Sequence, residues 1–340
     1  MPLVSLITPC RNEAAFVDAF LDAALAQRLA PGWTLELVVA DGASDDGTRE
    51  RLAERAAADA RLTVVDNPAG ATAVGLNRAL DRARGECIVR LDVHTSYAVD
   101  YVQQCLLALA RTGAANVGGP WRAEVGDGRA GAIALAWGSR FGSGAAASRR
   151  LDYTGPVDTV YLGAWRRETL LSLGGFDEKL LRTEDDDLNL RIVRGGGTVW
   201  QDAAIRSWYR PRDSFSALAG QMYQYGYWKW PLIRKHRLPA SPRHLVPGLF
   251  VGGLALLALL GLWRPAFALA ALAGVALHAL AALAAAATVA RPWGRPWVWL
   301  GVTWATVCMH WAYGTGFLHA VVDQTLRRGR AGRAATRLTR

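Results

Sequence analysis

Apolar and polar positions alternate in blocks along the first half of the chain. Leu3-Val4-Ser5-Leu6-Ile7-Thr8 reads as a buried strand ended by Pro9, and Phe16, Phe20, Leu21 and Leu25 recur behind it at helical spacing. Residues 35–40 and 62–65 are further short apolar runs. Val74, Leu76, Ala79 and Leu80 mark a helix leading to Cys87-Ile88-Val89, a fourth buried run. Strands alternating with helices of this length predict an α/β fold: a Rossmann-like, mainly parallel sheet with helices on both faces.

Beyond residue 110 the pattern weakens. Residues 112–157 show no clear period, and the Gly, Ala and Ser around 142–148 fit either a mobile loop or a flexible connection. Residues 157–163 read as a strand, 166–173 as a short helix and Gly174-Gly175-Phe176-Asp177 as a turn. Thr183 is placed to cap a helix whose first turn holds Glu184, Asp185, Asp186 and Asp187, with Leu188 and Ile192 facing inward. Residues 214–235 read as an amphipathic helix crowded with Tyr and Trp, with Arg234, Lys235 and Arg237 at its exit; that composition suits a membrane interface, and an ordinary packed helix with a basic exit is the alternative.

Three uncharged apolar segments follow, at 245–263, 265–290 and 296–322. Each is close to the ~20 residues that span a bilayer. The expected organisation is therefore a domain at 1–237, a membrane region at 244–323 with two to three helices, and a basic tail at 324–340. The net charge of +10 sits almost wholly after residue 240, where there are ten arginines and one acid, Asp323. A basic excess beside long apolar runs points to anionic lipid and away from nucleic acid. Three crossings would carry Arg327, Arg328, Arg330, Arg333, Arg337 and Arg340 outside, against the usual cytoplasmic bias of arginine, so the tail is expected to stay inside. The four cysteines lack metal-ligand spacing and suit reduced thiols; no basic leader precedes the first apolar run.

Candidate chemistry lies at strand ends. Asp92 and His94 follow the fourth run at a spacing that lets both reach one divalent cation. In α/β sheets, ligands bind beyond the carboxyl ends of strands. Asp41 opens a glycine- and acid-rich loop, residues 41–48; if the ligand is a nucleotide, Asp41 can accept hydrogen bonds from a uracil or ribose, and taken alone the loop reads as a solvated acidic turn. The chain has neither Gly-x-Gly-x-x-Gly after its first strand nor a Gly-Lys-Ser/Thr loop, which argues against a dinucleotide dehydrogenase and a P-loop enzyme. In the Glu184–Asp187 cluster, one carboxylate can serve as a general base whose neighbours raise its pKa toward the working pH. The same cluster is also what a helix N-terminus favours without any catalysis.

With Thr8-Pro9-Cys10-Arg11-Asn12-Glu13, the 41–48 loop, Asp92-Val93-His94 and Glu184-Asp185-x-Asp187-Leu188 in one order, the chain resembles family 2 glycosyltransferases. Residues 157–163, Gly174–Asp177 and Gln224-Tyr225-Gly226-Tyr227-Trp228-Lys229 are similar to the bacterial exopolysaccharide branch, especially succinoglycan glucosyltransferases. The resemblance implies a GT-A fold and sugar transfer with inversion. It implies that Pro9, Arg11, Glu13 and Asp41 contact the uridine of a UDP-sugar, and that Asp92 and His94 bind Mn²⁺ or Mg²⁺. Asp185 becomes the base, Glu184 and Asp187 orient it or meet the acceptor, and Gln224, Tyr227, Trp228 and Lys229 form the acceptor-side interface. The implied acceptor is a saccharide on a polyprenyl diphosphate, met by a cytoplasm-facing domain at the bacterial inner membrane, with other polysaccharide-assembly proteins as further partners. Two departures stand out. His94 occupies the place of a second metal carboxylate, and Tyr227 stands where processive synthases carry Arg in Gln-x-x-Arg-Trp, which favours transfer of a single sugar. A polyprenyl-phosphate sugar transferase and a non-catalytic membrane scaffold that keeps the fold are the competing expectations. A transporter fits poorly, because the apolar segments hold no Asp, Glu or Lys before Asp323 for an ion path.

Overall fold

In the computed structural model the described residues are 1–144, 146–239, 241–293, 295–326 and 333–336. The chain runs β1 (Leu3–Cys10), α1 (Val17–Leu25), β2 (Thr34–Asp41), α2 (Thr48–Ala58), β3 (Leu62–Asp66), α3 (Thr72–Arg82), β4 (Cys87–Arg90), β5 (Thr95–Tyr97), α4 (Tyr101–Thr112) and β6 (Asn116–Gly119). There follow α5 (Gly128–Gly138), α6 (Arg140–Ser143), β7 (Gly155–Pro156), β8 (Tyr161–Arg166), α7 (Arg167–Ser172), α8 (Glu184–Arg194), β9 (Val199–Gln201) and β10 (Ser207–Tyr209). The remainder is helical: α9 (Phe215–His236), α10 (Val246–Leu260), α11 (Pro265–Ala290) and α12 (Pro296–Leu326). Two compact units result, one of 1–122 with 147–210, the other of 123–146 with 211–339.

In the first unit, eight of the described strands form one sheet in the order β3-β2-β1-β4-β8-β6-β9-β7. The β3-β2-β1-β4 block is parallel, while β8 runs antiparallel to both β4 and β6. Alternate residues of each strand serve opposite faces. Val4, Leu6, Leu37, Val39 and Val89 join α1 and α4 on one side; Ile7, Val38, Ala40 and Ile88 join α3 and α8 on the other. Both faces are thus dry, which explains the near-continuous apolar runs in the sequence.

Three expectations need correction here. Pro9 lies inside β1 and does not end it. Its missing N–H faces the β4 side, where Leu91 N–H to the Ile7 carbonyl (3.0 Å) is the last bond, so no ladder bond is lost. The strand read at 157–163 is displaced to Tyr161–Arg166. Gly163 is a kink within it and not its terminator: Leu162 and Gly163 have φ of 66° and 112°, beside a register shift at Val117/Gly119. The flexible stretch expected around 142–148 is preceded by a true helix, α5, whose buried Ile133, Ala136 and Trp137 pack within the second unit.

The second unit is built on α12, which packs against α5, α9, α10 and α11. Its α9 crossing is set by glycine: a Cβ on Gly226 would stand 2.0 Å from the Tyr313 carbonyl oxygen, and one on Gly316 2.0 Å from that of Tyr223. The helix backbones therefore touch, as small residues permit. No residue of 221–230 is exposed, so the middle of α9 is packed inside this unit, while Ser216, Ala217, Gly220, Arg234 and Lys235 nearer its ends are exposed. Two helices among the described residues, Pro242–Leu260 and Pro265–Trp293, are long and apolar enough to cross a membrane, and Leu249, Leu256, Leu269, Leu272 and Leu277 are exposed on them. The third apolar segment forms α12, with Val302, Ala305, Met309 and Ala320 buried. Of the basic tail, Arg327, Arg328, Arg330, Arg337 and Arg340 lie outside the described residues.

Candidate active site

β1, β2 and β4 end at one edge of the sheet, and their following loops are stitched together. Gly42 N–H donates to the Cys10 carbonyl (2.7 Å), Asn12 N–H to Ser44 Oγ (2.9 Å), and Glu13 N–H to Thr48 Oγ1 (2.8 Å). A Cβ at Gly42 would meet Arg11 Cβ at 2.9 Å, so glycine is what lets these loops approach. Pro9, Arg11, Glu13 and Asp41 are thereby gathered. Asp41 is 1% exposed, accepts from Ser44 N–H (3.4 Å) through Oδ2, and leaves Oδ1 without a hydrogen-bond partner among the described residues. A buried acceptor of this kind awaits a donor. Nearby, burial and the carboxylates of Glu13, Asp41 and Asp46 push the Cys10 thiol well up, which makes it a poor nucleophile.

The turn after β4 carries Asp92 and His94. Tyr97 Oη accepts from Asp92 N–H (2.7 Å) and donates to the Asp92 carbonyl (2.9 Å), clamping its backbone from both sides. The β5–β10 pair backs this turn, and the Tyr209 ring stands edge-on to His94 with centroids 5.8 Å apart. His94 Nδ1 lies 3.6 Å from Glu13 Oε1 and has no hydrogen-bond partner among the described residues.

Arg90, the last residue of β4, joins this turn to α8. Its Nε lies 3.3 Å from Asp92 Oδ1 and its Nη1 donates to Glu184 Oε1 at 3.0 Å. The first turn of α8 is therefore on the same side of the sheet as Asp92. Thr183 precedes it with φ 67°, a costly left-handed backbone for a β-branched residue. Thr183 does not cap the helix as expected, because its hydroxyl turns to the Arg182 carbonyl. Asp185 is half-buried and accepts from Asp186 N–H (2.8 Å). Burial, then the charges of Asp186 and Glu184, raise its carboxyl to about 7, with Arg90 opposing them. Asp187 is fully buried and accepts from Arg191 Nε (2.9 Å), whose Nη2 donates to the Gly175 carbonyl (2.7 Å). Its carboxylate anchors α8 to the Gly174–Gly175 turn and is closed to solvent.

A protein family description, Glycosyl transferase family 2, matches residues 5–171. Succinoglycan biosynthesis protein ExoA of Rhizobium meliloti (strain 1021) is 30% identical over 266 residues, which cover 76% of this chain and 78% of that protein. The chain belongs to glycosyl transferase family 2. Among solved structures, mannosyltransferase PcManGT from Pyrobaculum calidifontis in complex with GDP-Man and Mn²⁺ superposes with a TM-score of 0.61 at 24% identity, covering 94% of this chain and 87% of that one. S. aureus TarS 1–349 in complex with UDP-GlcNAc gives 0.53 at 14% identity, covering 98% and 93%. At these identities the likeness is one of fold, and the fold is GT-A.

Within this family 2 transferase, Gln224, Tyr227, Trp228 and Lys229 are all buried in α9, in the helical unit. Tyr227 Oη donates to Asp323 Oδ2 (3.1 Å) and Trp228 Nε1 to the Ala335 carbonyl (3.0 Å). These side chains hold the helices together and do not project to an outer surface. The sequence reading passed over Arg90, Tyr97 and Tyr209. Arg90 had a signal: an arginine ending an otherwise apolar buried strand needs buried anions to meet it.

Proposed function

We propose that this enzyme moves one sugar, glucose by its likeness to the succinoglycan branch, from a UDP-sugar to a lipid-linked saccharide with inversion. Exopolysaccharide assembly at the cytoplasmic face of a bacterial membrane is the setting. The observation that carries this is the Asp92–Arg90–Glu184 bridge, which puts the nucleotide-side turn and the acid-rich helix start at one sheet edge. The likeness to a succinoglycan biosynthesis protein and the two apolar helices support the setting.

A divalent cation fits the donors present. His94 offers a ring nitrogen and Asp92 a carboxylate, the mixed nitrogen–oxygen set that Mn²⁺ accepts; His94 Nδ1 makes no hydrogen bond among the described residues and has the Glu13 carboxylate 3.6 Å away. No group of three or more His, Cys, Asp and Glu is found among the described residues, so the other coordination positions would fall to diphosphate and water. When bound, the cation supplies Lewis-acid neutralisation of the leaving diphosphate. Asp41 Oδ1 accepts from the base or ribose, and Glu13 holds the His94 side chain. Asp185 takes the acceptor hydroxyl's proton as that oxygen attacks the anomeric carbon from the face opposite the diphosphate, inverting it. A carboxyl poised at about 7 is matched to such a base.

The deciding experiment incubates the full chain in bacterial membranes with labelled UDP-sugars and identifies the lipid-linked products by mass spectrometry. A saccharide one sugar longer, with inverted linkage, is expected. Sugar attached directly to polyprenyl phosphate would transfer the reading to that rival class, and no product from any UDP-sugar would overturn it.

A further inference from the structure

We propose that Arg90 is a positioning residue for sugar transfer, a buried strut that fixes the Glu184–Asp185 start of α8 against the Asp92–His94 turn. The inference rests on the sugar-transfer reading above and adds a part to it. Arg90 is about nine-tenths buried, and its two ends meet carboxylates from different elements: Nε at Asp92 Oδ1 (3.3 Å) and Nη1 at Glu184 Oε1 (3.0 Å). A planar guanidinium can hold two such partners at a set separation; a lysine ammonium, a point charge on a flexible stem, cannot do so with the same geometry.

The placement follows from the fold. Arg90 is the terminal residue of β4, a central strand; its backbone pairs with Ile7 of β1, and the β8 pairing ends one residue before it, at Val89. The carboxylate it grips on α8 is one residue from the proposed base. Asp185 is faced by Glu184 and Asp186 from its own helix and by Arg90 from β4. With two anions beside it, the base stays ionisable near neutrality only while that cation remains. Arg90 thus does two things through Asp185: it sets where the carboxylate stands relative to the donor-side turn, and it offsets the repulsion that would keep the carboxylate protonated.

The test uses the full chain in nanodiscs with Arg90→Met, Arg90→Lys and the double variant Arg90→Met/Glu184→Gln. The double variant removes both buried charges together, so it folds even where Arg90→Met alone leaves Glu184 unpaired and unstable. For the single Met variant, kcat with a UDP-sugar is expected to fall roughly 10²-fold while the donor KM moves less than about threefold. The acid limb of its pH–rate profile, and the Asp185 resonance in ¹³C-carboxyl NMR assigned with Asp185→Asn, should move up by about one pH unit. Arg90→Lys should recover the pH profile but only part of kcat. The double variant should melt like the wild type and remain slow. Wild-type turnover in the double variant would reduce Arg90 to a counter-charge for Glu184 and overturn the proposal. If the wild type transfers no sugar at all, the functional reading fails separately, and the NMR titration still judges the strut: an upward move upholds it, an unmoved resonance sinks it.

Discussion

His94 Nδ1 stands 3.6 Å from Glu13 Oε1, so the turn after β4 and the loop after β1 meet through an imidazole and a carboxylate. That contact ties the proposed cation side of the site to its proposed nucleotide side. It also assigns different sensitivities to the two metal-side residues. Stripping metals with a chelator should abolish transfer, and Mn²⁺ or Mg²⁺ should restore it. Asp92→Ala should cost more than 10²-fold in turnover, because a carboxylate is the stronger ligand for a hard cation. His94→Ala should instead raise the cation concentration giving half-maximal activity, by roughly tenfold. Titrating metal into apo-enzyme reads both; full activity in metal-free protein would remove the cation from the site.

Asp185 is the proposed general base. Asp185→Asn keeps the side-chain shape and the oxygen that accepts from Asp186 N–H, but cannot take a proton. Turnover should drop by ~10³-fold, within the usual range for a lost general base. UDP binding, followed by calorimetry, should stay within a few-fold, since the nucleotide residues lie on the other loops. Unchanged turnover would strip Asp185 of this role.

The raised carboxyl of Asp185, about 7, sets the pH dependence. A base works only when ionised, so kcat should be full above pH 8 and fall about tenfold per unit below pH 6. Stability runs the opposite way. The folded state holds this proton up to about 7, whereas an unfolded Asp releases it near 4, so folding binds protons between those values. The site's contribution is most favourable below pH 4 and declines as pH rises to 7. Asp185→Asn should therefore melt higher than wild type at pH 8, by roughly 1–2 kcal/mol after allowance for partial solvent screening, and not at pH 4. Melting curves at the two pH values decide it.

The first half of the fold was legible because β1, β2 and β4 are buried on both faces and each strand is punctuated by a turn. Legibility failed where backbone chemistry overrode pattern. Gly163 looks like a stop and is a kink, because a register shift in β6 demands a left-handed residue opposite. The α5 stretch Gly128–Gly138 is so rich in Gly and Ala that its apolar period is faint, although its alanines favour a helix. At the site, Asp41 at the end of β2, Asp92 and His94 in the turn after β4, and Asp185 in the first turn of α8 stand at strand and helix ends, as the pattern predicts. Arg90 showed only as an arginine ending an apolar strand, and which anions it meets, like the clamp of Tyr97 on Asp92, depends on which elements lie side by side. The aromatics of α9 misled in the other direction: Tyr and Trp suit a membrane interface and a helix core equally, and Gly226 with Gly316 decided for the core.

Asp187 should behave unlike its neighbour. Its carboxylate is fully buried and paired with Arg191, which in turn holds the Gly175 carbonyl. Asp187→Ala should destabilise the sheet-bearing unit by roughly 3 kcal/mol, the cost of breaking a buried pair. Any protein that remains folded should keep a wild-type pH–rate profile. Denaturant titration with kinetics on the surviving fraction separates this from a catalytic loss, and a displaced pH profile would return Asp187 to the chemistry.

The α9–α12 crossing makes the last prediction. A methyl group on Gly226 would be placed 2.0 Å from the Tyr313 carbonyl oxygen, and one on Gly316 2.0 Å from that of Tyr223. Neither oxygen belongs to a flexible side chain, so the helices must separate. Separation would also lengthen the bond from Tyr227 Oη to Asp323, a fully buried acid that needs it. Gly226→Ala should thus lower the melting temperature in detergent sharply, by an amount equivalent to roughly 2–4 kcal/mol. Gly253→Ala, on α10 where a methyl group meets nothing within 4 Å, should change it little and gain slightly from helix propensity. Equal melting of the two variants would mean that close backbone contact does not hold this unit together.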